Sequence, residues 1–345
     1  MSKILSDKEK ANLTRWNGKK RGHYEVYYLK FNDVVASRAY WIRYTMLAPL
    51  KTSGDQVCEV WAIAFDAKKP ERNYAKKLTL PISTLNFSEN GFYFAFACGA
   101  NFIDKNGCAG KLGEGEKEIS WNLKFMPDHL PVFKHFPKEA MYKLPMPKTK
   151  VLAPNLSMLI SGKVTAFGET KGFDGLPGHQ AHIWGTKHAF QWAWANCNTF
   201  IGENEQTVFE ALSAQIAVGP VKLPYLSMCA LRVRNEEFKI NSLLDLVRTR
   251  SIYDIEHWEM DAENNRFRIS MRIANNPKNM VGVTYRDPDG ELKICNNTKV
   301  ATMAIRVQEF RNGLWKTKYE FESIPHTAAY EVVAPESHPD IPVMI

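Results

Sequence analysis

One stretch of 21 residues, Gly178 to Asn198, concentrates side chains that could do chemistry. Its sequence, GHQAHIWGTKHAFQWAWANCN, holds three histidines, three tryptophans and two asparagines. Histidine can donate or accept a proton near neutral pH, and the faces of tryptophan rings attract cations. The segment therefore combines a possible proton donor with an aromatic surface.

The end of this stretch alternates with a period of two, which predicts a β-strand. The bulky and amide side chains fall on one face: Phe190, Trp192, Trp194, Asn196 and Asn198. The other face carries Gln191 and then small residues: Ala193, Ala195 and Cys197. We expect the small face to lie against a close neighbour and the large face to line a wide interior. Aromatic walls with a few polar groups are typical of a pocket for an apolar ligand.

The histidines allow several interpretations. Residues i and i+3 of a strand face opposite sides, so His179 and His182 make a poor metal site with His188, and we predict no metal. His182 shares a face with Trp184, which leaves two alternatives: a proton donor toward the cavity, or a core histidine bonded to backbone. The predicted ligand contacts of this segment are Trp184, His188, Trp192, Trp194, Asn196 and Asn198.

The first half of the chain offers two acids. Glu25 shares a strand face with His23 and Tyr27, and Glu59 shares one with Trp61. Arg43 interrupts an apolar strand, and a buried arginine usually pairs with a carboxylate.

Alternatively, an apolar cavity keeps Glu25 or Glu59 protonated and able to donate a proton. The predicted catalytic residues are therefore His182, Glu25 and Glu59, and Trp61 and Arg43 join the predicted ligand contacts.

Short segments rich in aromatic and β-branched residues dominate the chain, separated by Gly, Asn, Asp and Pro turns. Helical patterns are few: Lys3–Trp16 could form one amphipathic helix, and Asn241–Thr249 another behind an asparagine cap. Strands without intervening helices indicate an all-β sandwich or barrel. The Pro-rich stretch from Pro127 to Pro154 is the best linker candidate. We predict two β-barrel domains, residues 1–150 and 151–345.

Composition narrows the classes of function. Six cysteines without a CxxC pair suit a reducing compartment, and the sequence has neither a signal peptide nor an apolar run that spans a bilayer. We expect a cytoplasmic protein. Its net charge of +8 indicates a soluble surface with a basic bias; the alternative is attraction to an anionic membrane surface, and no nucleic-acid-binding signature is present. Nucleotide-binding and hydrolase motifs are missing, so we expect no cofactor.

The chain resembles the tandem lipocalin-like superfamily that includes tocopherol cyclase and carotenoid 1,2-hydratase (hydroxyneurosporene synthase). The resemblance rests on RGHYEVYYLKF, on AYWIRY and EVWAIAFD, and on GHQAHIWGTKHAFQWAWANCN. It implies two lipocalin-like antiparallel β-barrels in tandem, and it is nearest to bacterial members without an assigned activity. It transfers no catalytic residue.

Two classes of function follow. The first is a cofactor-independent cyclase, isomerase or hydratase that acts by acid catalysis on an apolar isoprenoid- or polyketide-like molecule. Such reactions pass through cationic character, which aromatic walls stabilise. The second is a non-catalytic carrier of a lipid or pigment, which needs only an apolar lining with a polar mouth.

Overall fold

Strands occupy more than half of the described chain. A computed structural model of the protein describes residues 4–204 and 206–345 and shows two curled antiparallel sheets with little helix. The all-β prediction is confirmed.

The first sheet has twelve strands in the order β4-β3-β2-β1-β12-β11-β9-β8-β7-β6-β5, with β10 paired to β11. Its strands are β1 (His23–Asp33), β2 (Arg38–Ala48), β3 (Val57–Asp66), β4 (Tyr74–Pro81), β5 (Asn86–Phe87), β6 (Tyr93–Phe96), β7 (Asn101–Asp104), β8 (Gly107–Leu112), β9 (Ile119–Pro127), β10 (Phe133–Lys134), β11 (Thr149–Ala166) and β12 (Glu169–Gly185).

The second sheet has eleven strands, and a short ribbon of β15 and β16 lies outside it. The strands of this half are β13 (Gln191–Cys197), β14 (Val208–Gln215), β15 (Ala217–Val218), β16 (Val221–Lys222), β17 (Leu226–Val233), β18 (Glu236–Ile240), β19 (Arg250–Tyr253), β20 (His257–Glu263), β21 (Phe267–Ala274), β22 (Val281–Arg286), β23 (Leu292–Arg311), β24 (Leu314–Glu322) and β25 (Ala328–Ala334).

Helices are short. α1 (Asp7–Ala11) begins at a Ser6 cap with Glu9 in a capping box, and α2 (Leu243–Arg248) is capped by Ser242. The prediction of a helix over Lys3–Trp16 was too long, and Lys3 lies outside the described residues. Six 3-10 turns complete the helical elements: Pro70–Arg72, Ile82–Thr84, Ala97–Gly99, Gly115–Lys117, Glu139–Tyr142 and Pro277–Asn279.

Each sheet curls around its own apolar core. The first core holds the odd-numbered side chains of β1, such as Tyr27, Leu29 and Phe31. The second core takes the small face of β13, with Ala193 and Ala195. Alternation therefore assigns one face of each strand to the inside of its own barrel.

The other faces of β1, β2, β13 and β25 pack against each other in a third apolar cluster between the two sheets. Tyr28 and Trp41 of the first sheet meet Trp194 of the second sheet there. The wide interior that we expected along the large face of β13 is therefore the space between the two barrels, not the inside of the barrel to which β13 belongs. The small face of β13 lies inside that barrel, and the tryptophans lie between the barrels.

The Pro-rich stretch is not a free linker. It carries the end of β9 at Pro127, the short strand β10, a 3-10 turn and the start of β11 at Thr149. The chain passes from the first sheet to the second between Gly185 and Gln191, so the division proposed at 150/151 does not coincide with the change of sheet.

Within residues 4–204 and 206–345, no helix is long and apolar enough to cross a membrane.

Candidate functional site

A cavity of about 1040 Å³ opens between the two barrels. Its walls come from the facing outer surfaces of both sheets. The first sheet contributes Val26, Tyr28, Trp41 and Arg43. The second sheet contributes Trp192, Trp194, Leu212, Ala214, Leu226, Met228, Tyr285 and Glu331. The lining is mainly apolar and aromatic, and its size suits a ligand of small-molecule dimensions.

Aromatic rings form a continuous wall on one side of this cavity. His188 stacks on Tyr24, with 4.1 Å between the ring centroids, and on Trp192 at 5.5 Å. Trp192 in turn faces Tyr285 at 6.4 Å. Tyr28 meets Trp194 edge to face at 5.7 Å. Stacked and edge-on rings of this kind hold a fixed shape, so the wall is largely preformed.

A buried carboxylate, Glu210, lies behind the wall on β14. Its Oε1 accepts hydrogen bonds from His135 Nε2 and from the indole of Trp194, both at 2.9 Å, and its Oε2 accepts one from Asn196 at 3.0 Å. Burial alone would raise the pKa of Glu210. The neighbouring His179 and the hydrogen bonds of His135 and Trp194 outweigh burial and lower this pKa, so Glu210 is ionised at neutral pH.

His135 lines the cavity and is fully enclosed by protein. Because an ionised carboxylate can only accept, Nε2 of His135 carries the proton that binds Glu210. The other nitrogen, Nδ1, is buried and has no hydrogen-bond partner in the described part of the chain. A histidine oriented by a carboxylate and with one free nitrogen is suited to general acid or base chemistry.

Neither His135 nor Glu210 was among the predicted site residues. His135 lies in the Pro-rich stretch that was interpreted as a linker. Glu210 lies in an apolar strand, at a position that faces away from the barrel core. A lone acid in such a strand is the sequence feature that could have indicated it.

Four predicted ligand contacts do line the cavity: Arg43, His188, Trp192 and Trp194. His188 is also bonded to Asp287, through Nδ1 at 2.5 Å and its backbone N–H at 2.9 Å. Burial lowers the pKa of His188, with Asp287 opposing that effect.

The expected pairing of Arg43 with a carboxylate was wrong. Within the described residues Arg43 forms no ion pair, and its Nε is buried without a partner. Its guanidinium instead lies 4.2 Å from the ring centroid of Tyr285 and 4.9 Å from that of Trp61. Trp61 faces the space between the sheets but does not line the cavity.

Asn196 and Asn198 are structural ties. Asn196 binds Glu210, and Asn198 donates to the Gly178 carbonyl at 2.8 Å and accepts from Lys30 at 2.9 Å. Asn198 thus links the second sheet to the first. Trp184 lies instead beside a small separate pocket, on the opposite face of β12.

Two predicted catalytic residues, His182 and Glu25, do lie together. His182 Nε2 is 2.8 Å from Glu25 Oε1, and both side chains are fully buried on the inner face of the first sheet. His179 and His182 face opposite sides of β12, as the strand spacing predicted. Burial lowers the pKa of His182 against the effect of Glu25.

Glu25 anchors the N-terminal segment. Its carboxylate accepts the backbone N–H groups of Arg15 at 2.7 Å and Trp16 at 2.9 Å. Burial would raise the pKa of Glu25, but the hydrogen bonds from His182 and His23 lower it to about 2. The second ring nitrogen of His182, Nδ1, is hydrogen-bonded to the backbone oxygen of Ala11. These contacts are those of the second alternative, a core histidine bonded to the backbone.

Glu59 lies apart from both groups. It accepts from the indole of Trp61 at 3.1 Å and from Thr79 at 2.9 Å, and its side chain is partly exposed. It does not line the cavity.

The same substitution should destabilise the protein much more at Glu25 than at Glu59. All groups around the Glu25 carboxylate donate hydrogen bonds, and Glu25→Gln replaces one accepting oxygen by a donating NH2 group. We therefore expect the free energy of unfolding to fall by about 2–4 kcal/mol. Glu59→Gln, at a partly exposed site, should cost less than about 1 kcal/mol. Urea unfolding measures both, and equal losses would refute the anchoring role of Glu25.

His179 gives a pH prediction. Its complete burial lowers its pKa from 6.5 to about 4. The unfolded chain therefore binds the proton first, and the stability that His179 contributes is present above pH 6.5 and lost as the pH falls toward 4.

Lowering the pH from about 7.5 to 5 reduces the free energy of unfolding of the parent protein. In His179→Gln we expect this reduction to be about 1–2 kcal/mol smaller. Urea unfolding at both pH values measures the difference. An unchanged pH dependence would contradict the assignment, whatever the variant's absolute stability.

Comparison with known proteins is consistent with this architecture. A protein of Nitrosomonas europaea assigned as AttH, solved at 2.00 Å, superposes with a TM-score of 0.51 at 9% identity, over 91% of this chain and 93% of that one, which shows a shared fold. An uncharacterized protein of Mycobacterium tuberculosis strain H37Rv is 24% identical over 304 residues, 86% of this chain and 84% of that protein.

A third similarity concerns half of the chain. The "Probable tocopherol cyclase, chloroplastic" of Oryza sativa subsp. japonica is 24% identical over 180 residues, 50% of this chain and 37% of that protein. Residues 139–333 match the family model described as tocopherol cyclase-like. Because residues 139–333 make up more than half of the chain, the chain belongs to the tocopherol cyclase-like family.

Proposed function

We propose that the protein is a cofactor-independent cyclase, isomerase or hydratase that binds an apolar isoprenoid- or polyketide-like molecule between its barrels and acts on it by acid catalysis. One observation carries the proposal: a histidine held by an ionised carboxylate, His135 on Glu210, lies in the wall of an aromatic cavity. Family membership supports the same class of reaction.

The reaction we propose moves one proton through His135. Its protonated Nδ1 gives a proton to an alkene carbon of the ligand, which leaves a carbocation. An oxygen of the same ligand then attacks that carbon and closes a ring, and the proton released from this oxygen returns to Nδ1. The sum is an isomerisation. Attack by water in place of the ligand oxygen gives a hydration.

The walls suit the cationic stage of this reaction. Tyr28, Trp41, Trp192 and Trp194 line the cavity. A desolvated cation over such a ring gains about 1–2 kcal/mol per contact. An apolar lining also keeps water from competing with ring closure.

We assign the acid role to His135 in preference to His182. Both ring nitrogens of His182 already have protein partners, the Ala11 carbonyl and Glu25. A group whose proton sites are all occupied by the protein must first break a bond before it can act on a ligand.

The test is incubation with 2-geranylhydroquinone, an apolar molecule with alkenes and a phenol oxygen. We expect a product of unchanged mass and altered retention, carrying one additional deuterium on carbon when the reaction is run in D2O. His135→Gln should lower turnover at least about 100-fold, the usual scale for loss of a general acid, while binding persists.

The matched control is His129→Gln, which removes an exposed histidine from the same stretch of chain. It should leave turnover unchanged. Binding without any turnover in the parent protein would identify a carrier and overturn the enzyme assignment. Full turnover in His135→Gln would overturn the role of His135.

The mouth of the cavity supports a route by which such a ligand enters. The chain segments that reach it carry exposed apolar side chains: Leu144, Met146, Val221, Leu223, Leu243 and Leu244. Met146 and Leu243 also line the cavity, as do the exposed Lys148 and Lys222. An apolar rim with interspersed lysines matches an anionic lipid surface, where apolar molecules dissolve. We therefore propose that the mouth contacts such membranes.

Vesicle co-sedimentation tests this contact. We expect binding to vesicles with about 30% phosphatidylserine, weakened by salt because surface charge is screened. The double variant Leu243→Gln/Leu244→Gln should reduce the partition coefficient about tenfold.

The control pair is Val35→Gln/Leu314→Gln, which removes two exposed apolar residues that do not line the cavity. It should bind vesicles as the parent does. Equal losses in both double variants, or no vesicle binding at all, would refute docking through the mouth.

A further inference from the structure

Arg43 is a cation inside an apolar cavity without a protein anion to pair with. Only 6% of the residue is exposed. In the described chain, residues 4–204 and 206–345, it makes no salt bridge, and its buried Nε has no hydrogen-bond partner. Burial of an unpaired charge is costly, so such a group calls for a compensating partner.

The carboxylates that line the cavity or bind its lining residues have partners of their own, among them Glu291, which pairs with Lys187 and Lys293. Glu331, which lines the cavity, pairs with the buried Lys299 at 2.8 Å. Asp287 holds the ring and the backbone of His188. Each of them has a direct partner, and Arg43 has none.

Two aromatic rings fix the orientation of Arg43. Tyr285 and Trp61 lie 4.2 Å and 4.9 Å from its guanidinium carbon. A stacked guanidinium uses its faces for these contacts and keeps its N–H donors at the edge, in the plane. That fork matches the two oxygens of a carboxylate.

Lysines outnumber carboxylates at the mouth, where Lys148, Lys187 and Lys222 line the cavity together with Glu291. Lys148 and Lys222 are exposed. Lys187 is paired with Asp289 and Glu291. Cations at the entrance raise the local concentration of an anion and guide it inward.

We propose that Arg43 binds a carboxylate on the apolar ligand, so that the substrate class of this cavity is an isoprenoid or polyketide acid. The proposal rests on the proposed function, because it takes the cavity between the barrels as the ligand site. In the complex, the carboxylate lies against Arg43 and the apolar chain lies along the tryptophan wall.

Binding of parinaric acid, a fluorescent conjugated fatty acid, and of its methyl ester tests the proposal. Both probes fill the same apolar volume, and only the acid carries a charge. We expect the parent protein to bind the acid at least about tenfold more tightly than the ester. Arg43→Gln should remove this preference by weakening the acid alone, whereas Arg43→Lys should retain part of it.

Lys77→Gln is the matched control. Lys77 is a second cation over Trp61, at 4.7 Å, but it does not line the cavity. We expect this variant to keep the preference for the acid. Loss of the preference here as well would show a general charge effect and overturn the assignment of Arg43.

The outcomes separate this inference from the proposed function. Equal binding of acid and ester in the parent protein refutes the carboxylate site but leaves an apolar ligand cavity in place. Preference for the acid that survives in Arg43→Gln also refutes it. Binding of neither probe contradicts both proposals. If the preference for the acid depends on Arg43 but the protein shows no turnover, the carboxylate site is supported and the protein is a carrier.

Discussion

The outward faces of the two sheets pack against each other, and this contact determines the rest of the structure. Each barrel has its own core, so the strands β1 and β13 are buried on both faces. Large aromatic rings such as Trp41 and Trp194 cannot close this contact completely, and the gap that remains is the cavity. Polar groups trapped there must find partners across the interface, as Asn198 does with Lys30 and the Gly178 carbonyl.

Strand alternation correctly predicted which side chains share a face, but it could not say where that face points. Trp192, Trp194 and Asn196 do lie together, opposite Ala193. In a sheet with one wet face, the apolar face is the inner one. Here both faces are buried, and only the curvature of the sheet decides which becomes the interior. Curvature depends on the whole set of strands, so the sequence of one strand does not contain it.

The candidate acid illustrates a second limit. His135 and Glu210 are 75 positions apart in the chain and meet at 2.9 Å because β10, which pairs with β11, packs against β14 and β17 of the second sheet. No local spacing marks such a pair. Arg43 was expected to pair with an acid for a sound reason, the cost of a buried charge. Two aromatic faces compete for the same guanidinium, and their positions become known only once β3 and β22 are brought together.

The contrast between two carboxylate–histidine pairs shows how structure separates support from chemistry. Glu25 and His182 are the pair that the sequence pointed to, and every nitrogen and oxygen of that pair has a protein partner, including backbone groups of the N-terminal segment. Glu210 is equally well bonded, but Nδ1 of its partner His135 has no hydrogen bond to any residue that the structure describes. Arg43 is likewise incomplete at Nε. A buried polar atom without a partner is costly in a folded protein. Among the described residues, three such atoms belong to side chains that line one aromatic cavity: His135 Nδ1, Arg43 Nε and Trp41 Nε1. This coincidence is the basis for proposing a ligand there.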